Sequence, residues 1–176
     1  MKKLLLIAMA VLSLNAFALS VNVGASYQEA AYTYDTGIFD AISGSGKVDY
    51  DDPILAVNVE VTQGLVIGEI GAGASYEQGY KDGSKSFDAI PVYGLLKVNL
   101  FPIGIKPYLT AKYGTTFYVN EKNVDMKGGQ NLSIGAGITL VDTLQLEGTL
   151  NASKAEKNGV DIVSGSYGLT LRYNTF

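Results

Sequence analysis

From Leu19 onward apolar residues return at every second position in segments of about ten, and no sustained i, i+3, i+4, i+7 pattern interrupts them. That spacing predicts strands throughout. Segment one sets Val21, Val23, Ala25 and Tyr27 against Asn22, Gly24, Ser26 and Gln28. Segment two sets Leu55, Val57, Val59 and Val61 against Ala56, Asn58, Glu60 and Thr62, and segment three sets Val66, Ile70, Ala72, Ala74 and Tyr76 against Ile67, Glu69, Gly71, Gly73 and Ser75. In segment four Ile90, Val92, Leu96, Val98 and Leu100 oppose Tyr93, Leu95, Lys97 and Asn99. Segment five opposes Leu109, Ala111, Tyr113 and Phe117 to Tyr108, Thr110, Lys112, Gly114 and Thr116. Segment six opposes Leu132, Ile134, Ala136, Ile138 and Leu140 to Asn131, Ser133, Gly135, Gly137 and Thr139. Segment seven has Leu144, Leu146 and Leu150 against Gln145, Glu147, Thr149 and Asn151. Segment eight has Tyr167, Leu169, Leu171 and Tyr173 against Gly168, Thr170, Arg172 and Asn174.

The links between segments alternate in kind. "QG", "FPIGI" and "VDT" are short, whereas the links spanning 29–52, 77–88, 118–129 and 153–162 are long and polar. Eight strands joined in this way fit an all-β, eight-stranded antiparallel up-and-down barrel. Two versions share that outline: a transmembrane barrel, apolar outside with short periplasmic turns and long outer loops, and a soluble lipocalin-like periplasmic binding barrel with its greasy face inward.

The polar faces separate the two versions. They carry Gly24, Gly71, Gly73, Gly114, Gly135, Gly137 and Gly168. An outer surface has no use for residues that weaken a strand, whereas the lumen of eight strands is crowded. The apolar faces place Tyr27, Tyr76, Phe117 and Tyr167 at the long-loop ends and Tyr173 near a short-turn end, as two aromatic girdles would. "GASYQE" at 24–29 and "GASYEQ" at 73–78 are an internal echo on two strands running the same way. The expectation is therefore the transmembrane barrel over residues 19–176, with outer-membrane lipid as its surroundings.

Parity then sends Glu60, Glu69, Lys97, Lys112, Glu147 and Arg172 into the lumen, three acids and three bases. Isolated buried charges are expensive, but alternating partners satisfy one another, and arginine's fork suits carboxylates. The expected result is a salt-bridge network that closes the barrel.

Composition bears on export and on chemistry. "MKKLLLIAMAVLSLNAFA" joins Lys2 and Lys3 to an apolar run, Leu4 to Leu12, and ends on Ala16-Phe17-Ala18, the pattern of a secretory signal cut after Ala18. Removing the two lysines leaves 11 basic against 17 acidic side chains, a net charge of −6. That balance argues against a nucleic-acid partner. There is no cysteine and no histidine. Disulfides, thiolate zinc sites and histidine-based serine hydrolysis are therefore closed, and the chain reads as a non-enzyme without cofactor. Asp49, Asp51 and Asp52 in "DYDD" lack the ordered spacing of a calcium loop and read as a solvated acidic loop. The loop 29–52 carries acids together with Tyr32, Tyr34, Ile38 and Phe39, which suits an extracellular ligand.

The signal segment, the alternating segments, the short and long links, "IKPYLTAKYG" at 105–114 and the terminal Phe176 resemble the small outer-membrane barrels of the OmpA-type transmembrane domain and its opacity-protein relatives. The resemblance implies a surface-exposed, adhesive or structural role in the outer membrane, an internal charge network, and recognition of Tyr173 and Phe176 by the barrel assembly machinery. One feature departs from the family pattern: Asn174 holds the position two before the end, and Phe176 is out of phase with Leu169, Leu171 and Tyr173. The alternative role is a narrow passive channel for small solutes.

Export can be checked directly. N-terminal sequencing of the protein from intact cells should begin at Leu19, and a chain still carrying Lys2 would remove the argument for a cleaved signal.

Overall fold

Strand pairing runs once around the chain and returns to its start. A computed structural model describes residues 19–34, 53–82, 85–101, 106–119, 126–141, 143–157 and 160–175. These hold β1 (Leu19–Tyr34), β2 (Ile54–Leu65), β3 (Gly68–Asp82), β4 (Lys85–Asn99), β5 (Lys106–Val119), β6 (Met126–Lys127), β7 (Gln130–Val141), β8 (Leu144–Lys157) and β9 (Val160–Asn174). All pairings are antiparallel, and β1 pairs with β9 from Asn22↔Asn174 to Tyr34↔Ile162, so the sheet closes on itself. Closure leaves no free edge in the wall.

The short β6 and β7 form one stave interrupted by a bulge. Lys127 faces Glu156 and Asn131 faces Ser153, so four steps on one strand match three on the other. The Gly129 carbonyl accepts from Thr116 N at 2.8 Å and from Thr115 Oγ1 at 3.1 Å. A Cβ at Gly128 would strike the Thr116 carbonyl, and one at Gly129 the Lys154 carbonyl. With the bulge, the barrel has the eight staves that the segments predict.

Two of the links expected to be long loops are mostly strand. β3 continues to Asp82 and β4 begins at Lys85, while β8 continues to Lys157 and β9 begins at Val160. β1 also runs on to Tyr34, into the stretch read as loop. The physical reason is that polar side chains beyond an apolar belt erase the alternation, although the backbone still needs its ladder partners. The signal segment 1–18, the rest of the first loop at 35–52 with its acids, and Phe176 lie outside the described residues.

The wall has the faces of a transmembrane barrel. Val59, Leu96, Leu109, Ile134, Leu169 and Leu171 are exposed on the outside, while Asn58, Glu60, Thr62, Lys97, Lys112 and Glu147 are buried inside. This is the reverse of a soluble ligand-binding barrel, whose apolar face would line the interior. The five girdle aromatics Tyr27, Tyr76, Phe117, Tyr167 and Tyr173 all point outward and are 39 to 54 % exposed. Tyr113 is a further outward aromatic.

An arginine at mid-depth on the outer face should cost about 2–4 kcal/mol. Leu96→Arg and Ile134→Arg are therefore expected to lower stability by that amount in urea titrations from lipid vesicles, with Glu156→Lys close to neutral. Equal tolerance at all three positions would mean that the faces are inverted.

Candidate functional site

Each charged lumenal side chain is held by a strand whose parity fixes its direction, and the register decides which ones meet. Glu60 comes from β2, Lys112 from β5, Glu147 from β8 and Arg172 from β9. Arg172 grips Glu147 with two parallel bonds, Nη1 to Oε2 at 2.7 Å and Nη2 to Oε1 at 2.6 Å. Lys112 Nζ bridges Glu60 Oε1 at 2.8 Å and Glu147 Oε1 at 3.3 Å. The circuit closes where Arg172 Nε lies 3.3 Å from Glu60 Oε2, close enough for an ion pair but without hydrogen-bond alignment. Tyr93 donates to Glu60 Oε1 at 2.9 Å and lies beneath Lys112 Nζ, 5.2 Å from its ring centre. The result is a neutral ring of alternating charge whose side chains are 0 to 9 % exposed.

Glu69 and Lys97 do not join this ring. They form a separate pair at 2.6 Å, closer to the short-turn end. Thr62 Oγ1 donates to Glu69 Oε2 at 2.9 Å, and Lys97 Nζ sits 4.6 Å from the Tyr108 ring centre. The six charges singled out in the sequence thus fall into a pair and a four-membered ring.

Small residues make the ring fit. A Cβ on Gly73 would come within 2.8 Å of Glu60 Cγ and 2.9 Å of Tyr93 Cε2. At Gly137 an added Cβ would strike the Tyr108 ring.

Toward the long-loop end stands a second barrier of different chemistry. Gln28 Nε2 donates to Glu77 Oε1 at 3.1 Å, while Gln28 Oε1 accepts from Asn151 Nδ2 at 3.2 Å and from Ser166 Oγ at 3.0 Å. Below it, Asn58 Nδ2 donates to Ser26 Oγ at 3.1 Å, and Ser26 Oγ shares a proton with Thr170 Oγ1 at 2.8 Å. This belt spans β1, β2, β3, β8 and β9. The sequence reading did not single out these residues, yet the echo carried the signal. Gln28 and Glu77 each follow the tyrosine of "GASYQE" and "GASYEQ", both on the inward parity, and they are the two that bond.

Between ring and belt remains a cavity of about 70 Å³, bordered by Ser26, Asn58, Ser75, Tyr93, Asn131 and Arg172. Small-molecule pockets run to roughly 300–1,000 Å³, so this space does not hold an ordinary ligand. At the other end, Tyr173 pairs with Leu144 on β8 and with Val23 on β1. The seam continues one residue further, with Thr175 N donating to Val21 O at 2.9 Å.

No family model matches the chain, and neither does any curated protein. Among solved structures, Neisserial surface protein A is 12% identical over 88% of this chain and 96% of that one, with a TM-score of 0.60. The outer membrane enzyme PagL is 13% identical over 84% of this chain and 98% of its own, at 0.50. Ail, the attachment invasion locus protein of Yersinia pestis, is 11% identical over 89% and 100%, at 0.44. At such identities the likeness is one of fold, the eight-stranded barrel of outer-membrane proteins.

Removing one partner of a buried ion pair leaves a charge without compensation, at about 3–5 kcal/mol. Arg172→Ala should therefore lose about 3 kcal/mol in urea titrations from vesicles. Lys97→Ala should lose less, because the Glu69 side chain it abandons is 18% exposed. The reverse order would show that the ring is not the principal electrostatic tie of the lumen.

Proposed function

We propose that this chain is a small integral protein of the bacterial outer membrane, exported by residues 1–18 and closed through its lumen by the ion ring. Its role is structural and at the cell surface, with the segment 29–52 presented to an extracellular partner for adhesion. The observation that carries this reading is the pairing of an apolar outer wall with a charged, neutralised interior, since a wall of that kind is stable only in lipid. The barrel assembly machinery is the partner for insertion, through Tyr173 and Phe176. The absence of histidine from the whole sequence supports a non-catalytic role. The six acids and one lysine of 29–52, with their aromatic neighbours, support a recognition surface over a bare connection.

The channel reading is the competitor, and the two obstructions in series speak against it. In planar bilayers the unaltered protein should give little or no steady conductance, rising when Lys97 and Arg172 are neutralised together. Large conductance that does not respond to those changes would make the passive channel the better reading. Fractionation gives a separate test: the protein should leave the outer-membrane fraction only with detergent, and it should run at different positions before and after boiling. Release by osmotic shock would end the membrane assignment.

A further inference from the structure

Above the ion ring the lumen does not close at once. The chamber of about 70 Å³ between ring and belt is walled by hydroxyls and amides, among them Ser75, Asn131, Ser133 and Thr149. Two polar atoms of its wall are buried and have no hydrogen-bond partner among the described residues, Asn58 Oδ1 and Ser133 Oγ. Asn58 is 4% exposed and spends its Nδ2 on Ser26 Oγ at 3.1 Å. Ser133 stands in register with Lys112 of the ring on one side and with Asn151 of the belt on the other. Asn58 lies on β2 and Ser133 on β7, which are opposite staves of the closed wall, with three staves between them in either direction. The two side chains thus stand on opposite sides of the chamber, and neither bonds the other.

The chemistry of the lining selects the occupant. Lys112 and Arg172 border the chamber from below, so a cation would meet two positive charges. Glu77 borders it from above, and Glu60 and Glu147 are bound to the two ring cations, so an anion would meet carboxylates. An apolar guest would leave Asn58 Oδ1 and Ser133 Oγ unpaired, and cavities that stay dry are those with apolar walls. What remains is a small neutral molecule that both donates and accepts. At about 30 Å³ for each molecule of liquid water, the volume holds about two. We infer that the chamber binds a pair of internal waters that link Asn58 on β2 to Ser133 on β7 and tie the upper side of the ring to the belt. Glu60 and Glu147 do not border the chamber, so the pair stands above the ring and the carboxylates of the circuit stay dry. The waters add an uncharged fastening between staves that share no ladder, and it holds whichever role the surface segment plays.

The test is oxygen-17 magnetic relaxation dispersion of the folded protein in detergent micelles, which counts long-held water molecules in solution. Ser133→Leu, which fills the chamber, should lower the count by about two relative to the unaltered protein. The milder Ser75→Val should lower it as well, which covers the case where the leucine variant fails to fold. Thr110→Val removes a buried hydroxyl that does not border the chamber and should leave the count unchanged. Folding of each variant is read from its shift on boiling. A count that neither Ser133→Leu nor Ser75→Val reduces would overturn the inference, and so would an equal fall in Thr110→Val. A count that changes with the concentration of sodium chloride would put an ion in the chamber and overturn it too.

Discussion

Eight strands enclose so little space that an inward side chain is always in contact with another, and this shortage of volume governs the interior. Charge cannot be diluted there by water, so four ionised groups from four strands share partners in a circuit, with Lys112 and Arg172 each serving both Glu60 and Glu147. The circuit needs room for an arginine and two tyrosines, and that room comes from backbone positions stripped to hydrogen, such as Gly73 under Tyr93 and Gly137 under Tyr108. Inward glycines, buried tyrosines and paired ions are therefore one solution rather than three features. The net contribution of such a circuit to stability is small beside its specificity, because desolvation offsets much of the attraction. What it enforces is register: slipping any stave by one residue would turn its charge to the lipid.

Much of this was legible in the sequence. Period-two alternation gave each segment its inside and outside, and the alternation of short and long links gave the up-and-down order. Parity alone placed Glu60, Lys112, Glu147 and Arg172 on inner faces. It could not assign their partners, because partnership depends on shear between strands: Glu69 and Lys97 share the ring's parity but sit at another height. The strand extensions to Asp82 and Lys157 were hidden because polar residues on both faces carry no period. The bulge at Gly128–Gly129 left only a pair of glycines, which also suits a loop. Uncharged side chains such as Gln28 and Asn151 gave no cost signal that would single them out as a barrier.

The two barriers differ in what would open them. Separating Arg172 from Glu147 exposes full charges in a dry space, whereas turning Gln28 exchanges single hydrogen bonds, one of them to the Glu77 carboxylate, that a few solvent molecules could replace. An excursion of the interior should therefore begin at the long-loop end and stop at the ring. A lumen built in this way admits solvent from one side while remaining sealed, which suits a protein that presents its outer end to the surroundings without leaking through the wall.

The seam between β1 and β9 bears on how such a molecule comes into being. Ser26 and Thr170, bonded across it, are 144 positions apart in sequence. Every other pairing in the wall joins staves adjacent in chain order, so the rest of the sheet can zip up locally, and this seam closes the longest loop in the chain. Without the β1–β9 pairing the sheet is an open ribbon with two raw edges, and Arg172 on β9 and Glu60 on β2 stand at its opposite ends. Closing that one seam therefore removes both edges and completes the ion circuit together.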